Sequence, residues 1–137
     1  MDFSELKIKQ YDFWDLYLHQ NQYPYIGRCY ASARRENADL ATDMNFEERE
    51  ELFSRVISEW AKSIEHLFGQ FRPNIACFGN EWNHLHWHLI PRYKDKIEFN
   101  GINFTDPNPN GNYSPYVKMQ LGKKVILEIK DFLRKRL

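Results

Sequence analysis

The most informative stretch of the sequence places three histidines at every second position. It reads Asn83-His84-Leu85-His86-Trp87-His88-Leu89-Ile90-Pro91-Arg92-Tyr93. Apolar residues separate the histidines, and this alternation is the period of a β-strand with one imidazole face and one apolar face. Each neutral imidazole needs both a donor and an acceptor partner, so folding alone gives little reason to line up three of them. The pattern therefore predicts a strand that carries a functional site.

Composition and charge narrow the class of protein. The chain has 137 residues, 42% of them hydrophobic, so we expect one domain, residues 1–137, with a core that needs no disulfides. Its 19 Lys and Arg residues equal its 19 Asp and Glu residues. This balance excludes a large basic surface for a long nucleic acid, but it is compatible with a small anionic ligand.

Cysteine usage and the hydropathy pattern indicate a cytoplasmic protein. Cys29 and Cys77 are the only cysteines and form no Cys-x-x-Cys pattern, so we expect both to be reduced. Residues 1–5 lack the basic and apolar regions of a signal peptide. No apolar run is long enough to cross a bilayer, so no membrane partner is expected.

The pattern along the chain predicts an α+β fold around an antiparallel sheet. Residues 1–11 read as an irregular arm, and residues 13–19 and 26–33 read as two antiparallel strands joined by a short turn. A long central helix is expected after the capping box of Asn45 and Glu48, and Gly69 is expected to end it.

The second half of the chain predicts three further elements and a loop. Residues 74–79 and 83–93 read as a second antiparallel pair, and residues 97–104 read as a hairpin with Asn100-Gly101 at its turn. Residues 106–115 contain several prolines and polar residues, which indicates a loop that could form a rim or lid. An amphipathic C-terminal helix is expected from about Gly122.

Four interpretations of the three histidines remain open. They could be structural, or they could bind a nucleotide without converting it. A His-x-His pair could hold zinc with Glu81 or His19, but His84 and His88 lie about 13 Å apart along a strand and could not easily share one ion. An imidazole could also act as a nucleophile toward phosphorus when one ring nitrogen is free and the other is held by an acceptor.

Residues 84–90 resemble the signature of the histidine triad (HIT) superfamily of nucleotidyl hydrolases and transferases, His-φ-His-φ-His-φ-φ, where φ is hydrophobic. Every position matches, and Pro91-Arg92 follows, as in many hydrolase members. The order of strand pair, capped helix and second strand pair is also similar to that of the family. The resemblance implies a HIT-like sheet of about five strands with a long central helix and a C-terminal helix. Residues 79–83 look like a bacterial-type subgroup that includes diadenosine polyphosphate hydrolases.

The resemblance implies a role for each matching residue. His86 would attack the α-phosphate and carry the nucleotidyl group, His84 would orient the site, and His88 would contact the phosphate or the leaving oxygen. Asn80 would contact phosphate or sugar, and Asn21 would contact the ribose. No metal would be required, although Mg²⁺ could accompany a polyphosphate substrate. A homodimer would be compatible with the family.

The sequence departs from the family pattern on either side of the triad. Residues 33–36 replace the family's Pro-Lys-x-His segment, and Glu81 and Trp82 replace its small hydroxyl residue and glycine-rich loop. These differences concern phosphate contacts and leaving-group specificity more than the nucleophile. The expected function is a hydrolase or nucleotidyl transferase acting at the α-phosphate of a nucleoside phosphoanhydride or phosphoramidate through a covalent nucleotidyl-histidine. The alternatives are a non-catalytic nucleotide-binding protein of this fold and a His-ligated metal protein.

Overall fold

A five-stranded antiparallel sheet forms the centre of the computed structural model, which describes residues 2–137. The strands follow the order β1-β2-β3-β5-β4 in the sheet. In chain order they are β1 (Lys7–Gln10), β2 (Trp14–Leu18), β3 (Cys29–Ala33), β4 (Arg72–Ala76) and β5 (His86–Arg92). The strand with the second and third histidines, β5, is bonded to β3 on one side and β4 on the other. Its backbone is therefore held on both edges.

The strand register places polar and aromatic side chains of three strands on one face of the sheet. Tyr17 of β2 lies opposite Tyr30 of β3, and Tyr30 lies opposite His88 of β5. Ser32 is paired with His86 in the same way. Because directly opposite residues in a ladder point to the same side, these five side chains form one surface.

The long central helix packs in the core on the other side of the sheet. It spans residues 46–68 without a break, as α1 (Phe46–Glu51), a π-helical turn (Leu52–Val56) and α2 (Ile57–Phe68). The predicted capping box is present, because Asn45 and Glu48 each accept a hydrogen bond from the other's backbone N–H, both at 2.9 Å. The helix ends at Gly69, whose φ of 95° suits a residue without Cβ.

The core joins this helix to the apolar face of the triad strand. Trp60 and Ile64 of α2 are fully buried in one cluster with Leu85 and Leu89, which flank the histidines. Burial of each such side chain contributes about 1.5 to 3 kcal/mol to stability. The alternation in the sequence therefore divides β5 into a face that packs in the core and a face that is available for a site.

The C-terminal helix and the hairpin agree with the sequence pattern. Helix α3 (Lys123–Arg134) buries Ile126, Ile129 and Leu133. Strands β6 (Ile97–Phe99) and β7 (Ile102–Phe104) form a separate two-stranded sheet. Asn100 and Gly101 at its turn have φ of 50° and 80°, the left-handed values that a type I′ turn requires. No helix within residues 2–137 is both long and apolar enough to cross a membrane.

The prediction for the N-terminus was wrong, and several strand boundaries shifted, including the end of β4, which lies at Ala76 and not at residue 79. Residues 1–11 were expected to be an irregular arm, but Phe3–Leu6 is a 3-10 helix and Lys7–Gln10 is the edge strand β1. A segment of four residues is too short to show a clear hydrophobic period, and β1 forms because it pairs with β2. Strands β3 and β5 each begin three residues later than expected, and β4 begins two residues earlier. His84 therefore precedes β5.

Candidate active site

The polar face of the sheet is the floor of a cavity of about 970 Å³. Its walls come from the loop before the triad, residues 78–82, and from the loop that leads to the C-terminal helix, residues 113–118. A cavity of this size is in the range of small-molecule and nucleotide sites. His86, His88, Asn80 and Asn21 line it, so four of the five residues expected to form the site meet there.

The ring of His86 is fixed in one orientation by a hydrogen bond at Nδ1. It is only 7% exposed, and its Nδ1 lies 2.6 Å from the backbone oxygen of His84. A carbonyl oxygen can only accept a hydrogen bond, so Nδ1 carries the proton and donates it. In the neutral ring this leaves a lone pair on Nε2, the nitrogen that is free to react.

His84 does not line the cavity, but it contacts two residues that do, His86 and Trp82. Its Nε2 donates a hydrogen bond to the backbone oxygen of Ala33 at 2.7 Å, and its half-buried ring lies 5.0 Å from the ring of Trp82. The hydrogen bond to Ala33 fixes the position of His84, and the carbonyl of His84 accepts the hydrogen bond from Nδ1 of His86. The arrangement fits a positioning role.

His88 and His19 extend the polar floor beyond His86. The ring of His88 lies 5.0 Å from the ring of His86 and 6.1 Å from the ring of His19. Burial, together with the nearby Arg28 charge, lowers the pKa of His88 to about 4 and the pKa of His19 to about 3. Both rings are therefore neutral near pH 7. The Nδ1 of His88 is buried and has no hydrogen-bond partner among the described residues.

Asn21 and Asn80 lie at different depths of the cavity. Asn21 is half-buried, and its backbone N–H donates to Nδ1 of His19 at 3.0 Å. Asn80 is exposed on the loop before the triad. Their side chains are therefore placed where they could contact a ligand. Within residues 2–137 no group of three or more His, Cys, Asp or Glu side chains is arranged to hold a metal ion.

Aromatic side chains surround the histidines, and the sequence did not reveal them as part of the site. Tyr17 and Tyr30 stack at 5.2 Å with an angle of 10° between their planes. Trp82, half-exposed, lies 4.8 Å from the ring of His86 and meets Tyr30 edge-on. Such flat surfaces suit a planar base. The position of Trp82 also means that a ligand at His86 must share space with the indole.

The loop that forms the far wall is held by Arg92, the last residue of β5. Its Nε donates to Asp106 at 2.6 Å, and both partners are buried. Its other nitrogens donate to the backbone oxygens of Asn108 at 2.7 Å and Gly111 at 3.1 Å. The arginine that follows the triad thus has structural contacts with residues 106–111, the part of the loop that precedes this wall.

Comparison with known proteins supports the fold. No protein-family model matches the sequence, and no curated protein matches it either. Among solved structures, a histidine triad protein from Marinobacter aquaeolei VT8 has a TM-score of 0.75 at 20% identity, covering 96% of this chain and 87% of that protein. A histidine triad protein from Sinorhizobium meliloti 1021 has a TM-score of 0.75 at 14% identity, with 96% and 89% covered.

A third similar structure comes from an archaeon. The hypothetical histidine triad nucleotide-binding protein of Sulfolobus tokodaii strain 7 has a TM-score of 0.64 at 13% identity, covering 96% of this chain and 82% of that protein. These three neighbours are bacterial and archaeal histidine triad proteins, and this chain has the α+β HIT-like fold. At these identities the similarity concerns the fold.

Proposed function

We propose that this protein is a HIT-type hydrolase or nucleotidyl transferase that acts at the α-phosphate of nucleoside phosphoanhydrides or phosphoramidates. The hydrogen bond from Nδ1 of His86 to the carbonyl of His84 is the observation that carries the proposal. It leaves Nε2 of a cavity-lining imidazole free, with His88 beside it. An imidazole in this state is a competent nucleophile toward phosphorus.

The reaction has two displacements at phosphorus. In the first, the lone pair of Nε2 of His86 forms a bond to the α-phosphorus while the bond from phosphorus to the leaving oxygen or nitrogen breaks. The electron pair of that bond leaves with the oxygen or nitrogen, and an amine leaving group takes up a proton from solvent. The proton on Nδ1 stays in its bond to His84, which stabilises the positive charge on the substituted ring. In the second, water attacks phosphorus and releases a proton to solvent while the bond to Nε2 breaks and its electron pair returns to the ring. Nucleoside monophosphate leaves, and the imidazole returns to its neutral form.

The surroundings of His86 support a nucleotide as the substrate. The stacked Tyr17 and Tyr30 and the indole of Trp82 offer aromatic surface for a base. Neutral His88 and the Asn80 amide offer polar groups for phosphate and sugar. One structural neighbour is itself described as nucleotide-binding. The scheme routes no step through a metal, and Mg²⁺ would enter only with a polyphosphate substrate.

Trp82 supports a second candidate, a non-catalytic nucleotide-binding protein. Its indole lies 4.8 Å from the ring of the proposed nucleophile. If the indole kept this position in the complex, a nucleotide could stack in the cavity while its α-phosphate stayed away from Nε2. The two candidates therefore differ in whether bound nucleotide is cleaved.

We expect the purified protein to release nucleoside monophosphate from dinucleoside polyphosphates or from adenosine phosphoramidate, because both carry an α-phosphate within reach of His86. The measurement is product analysis by chromatography over a panel of both substrate types. The phosphoramidate reaction should persist in a metal chelator. Binding across the panel without release of monophosphate would instead support the non-catalytic candidate. Loss of activity in chelator, restored by zinc, would support a metal protein.

A further inference from the structure

Arg28 is a buried arginine without a counter-ion. It is 5% exposed, lines the cavity, and forms no ion pair with any carboxylate of residues 2–137. Its Nε is buried and has no hydrogen-bond partner. Its Nη1 donates to the hydroxyl of Tyr116 at 2.6 Å. Removing a charged donor from water without a partner is costly, so this arrangement needs an explanation.

Arg92 is a second buried arginine, and its contacts are those of a structural residue. Arg92 is buried to the same degree, at 6% exposed, but it has the carboxylate of Asp106 at 2.6 Å and two backbone oxygens besides. Arg28 has one tyrosine hydroxyl and lies 5.8 Å from the ring centres of Tyr113 and Tyr116. Cation–π contacts attract the guanidinium but give Nε no acceptor. The positive charge of Arg28 is therefore not neutralised by any carboxylate of residues 2–137, and because Arg28 lines the cavity this charge favours an anion there.

Arg28 precedes β3, and the next residues on the same side of that strand, Tyr30 and Ser32, are paired with His88 and His86 in that order. Trp82 contacts the ring of His86, His88 lies next to His86, and His19 lies next to His88. The charge of Arg28 acts on both His88 and His19, where it helps to lower the pKa of each ring. Lys118 also lines the cavity. An anion at Arg28 would thus lie beyond His88, on the side away from a phosphate bonded to His86.

We propose that Arg28 binds an anionic group of the substrate beyond the reacting phosphate. The guanidinium offers several donors in one plane, which match phosphate oxygens. The site therefore selects phosphoanhydrides, whose leaving group is charged, over phosphoramidates with a neutral amine as the leaving group. This inference rests on the proposed function, because it assigns the leaving-group side of the same site.

The kinetic test compares Arg28→Gln with the native protein on two substrates that share an adenylyl group. Hydrogen bonds to charged groups contribute about 1.5 to 3 kcal/mol, and about 1.4 kcal/mol is tenfold. We expect kcat/KM for a dinucleoside polyphosphate to fall roughly 10- to 100-fold more than kcat/KM for adenosine phosphoramidate. Arg28→Lys should recover part of the lost kcat/KM, because lysine keeps the positive charge but lacks the planar set of donors of the guanidinium. Equal losses on both substrates would overturn the proposal.

A binding test separates this inference from the proposed reaction. Calorimetry with inorganic pyrophosphate needs no turnover, so it reports on the subsite even if no nucleotide is cleaved. We expect Arg28→Gln to weaken pyrophosphate binding at least tenfold, and Arg55→Gln, a half-exposed arginine outside the cavity, to leave it unchanged. Tyr116→Phe removes only the hydroxyl contact and should bind nearly as the native protein does. Unchanged pyrophosphate affinity in Arg28→Gln, or an equal loss in Tyr116→Phe, would refute an anion subsite.

Discussion

Replacing His86 by Asn is expected to lower kcat for nucleotide hydrolysis by about 10⁴-fold or more, a loss typical of removing a covalent nucleophile. The side chain of Asn has no nitrogen that can attack phosphorus in place of Nε2. Nucleotide affinity should change little, because the aromatic surface formed by Tyr17 and Tyr30 remains. The measurement is steady-state kinetics together with calorimetric binding of a nucleoside monophosphate.

Two matched variants control for the loss of an imidazole. His66→Asn changes an exposed histidine of α2 outside the cavity and should retain native kinetics. His84→Asn removes the hydrogen bond to Ala33 and should lower kcat less than His86→Asn, because it disturbs only the support of the nucleophile. A His86→Asn protein that hydrolyses nucleotide within a few-fold of the native rate would show that another group attacks.

Replacing Arg92 by Met should lower the free energy of unfolding by about 3 to 5 kcal/mol, the range for breaking a buried ion pair by removing one partner. The change leaves the carboxylate of Asp106 buried without its cation. It also removes the donors that hold the backbone of residues 108 and 111. Denaturant unfolding at pH 7 measures the change.

An exposed ion pair provides the control for Arg92. Lys123 lies 3.2 Å from Glu5, with side chains that are 57% and 40% exposed. Lys123→Met should change stability by no more than about 1 kcal/mol, because water already screens this pair. Adding Asp106→Leu to Arg92→Met should restore part of the lost stability, because the buried charge is then gone. An Arg92→Met protein as stable as Lys123→Met would contradict a structural role for this arginine.

Local sequence patterns predicted the helices and strands whose apolar residues recur at a regular spacing or whose ends carry a capping residue. The alternation around His86 predicted β5, and the capping box and apolar stripe predicted the helix of residues 46–68. Strand β1 was not found, because its four residues have no pattern of their own and depend on pairing with β2. The start of β5 was placed too early, because residues 83–85 continue the alternation but lie outside the strand.

The surroundings of the triad depend on contacts between residues far apart in the sequence. Tyr30 and Ser32 alternate along β3 and so lie on one side of it, and Arg28 directly precedes that strand. Their connection to the triad comes from the pairing of β3 with β5, which joins residues more than fifty positions apart. Trp82 appeared only as a departure from the family pattern. Its contact with the ring of His86 depends on the path of the loop before β5.

The covalent intermediate can be tested most directly by mass spectrometry of protein quenched with alkali during turnover of a dinucleoside polyphosphate. Alkali is chosen because a phosphorus–nitrogen bond to imidazole is labile in acid. If Nε2 of His86 attacks the α-phosphate, the peptide that contains residues 84–88 should gain the mass of one nucleotidyl group, located on His86. The modification should be absent from His86→Asn. Rapid hydrolysis with no modified peptide at any time during turnover would contradict the proposed mechanism.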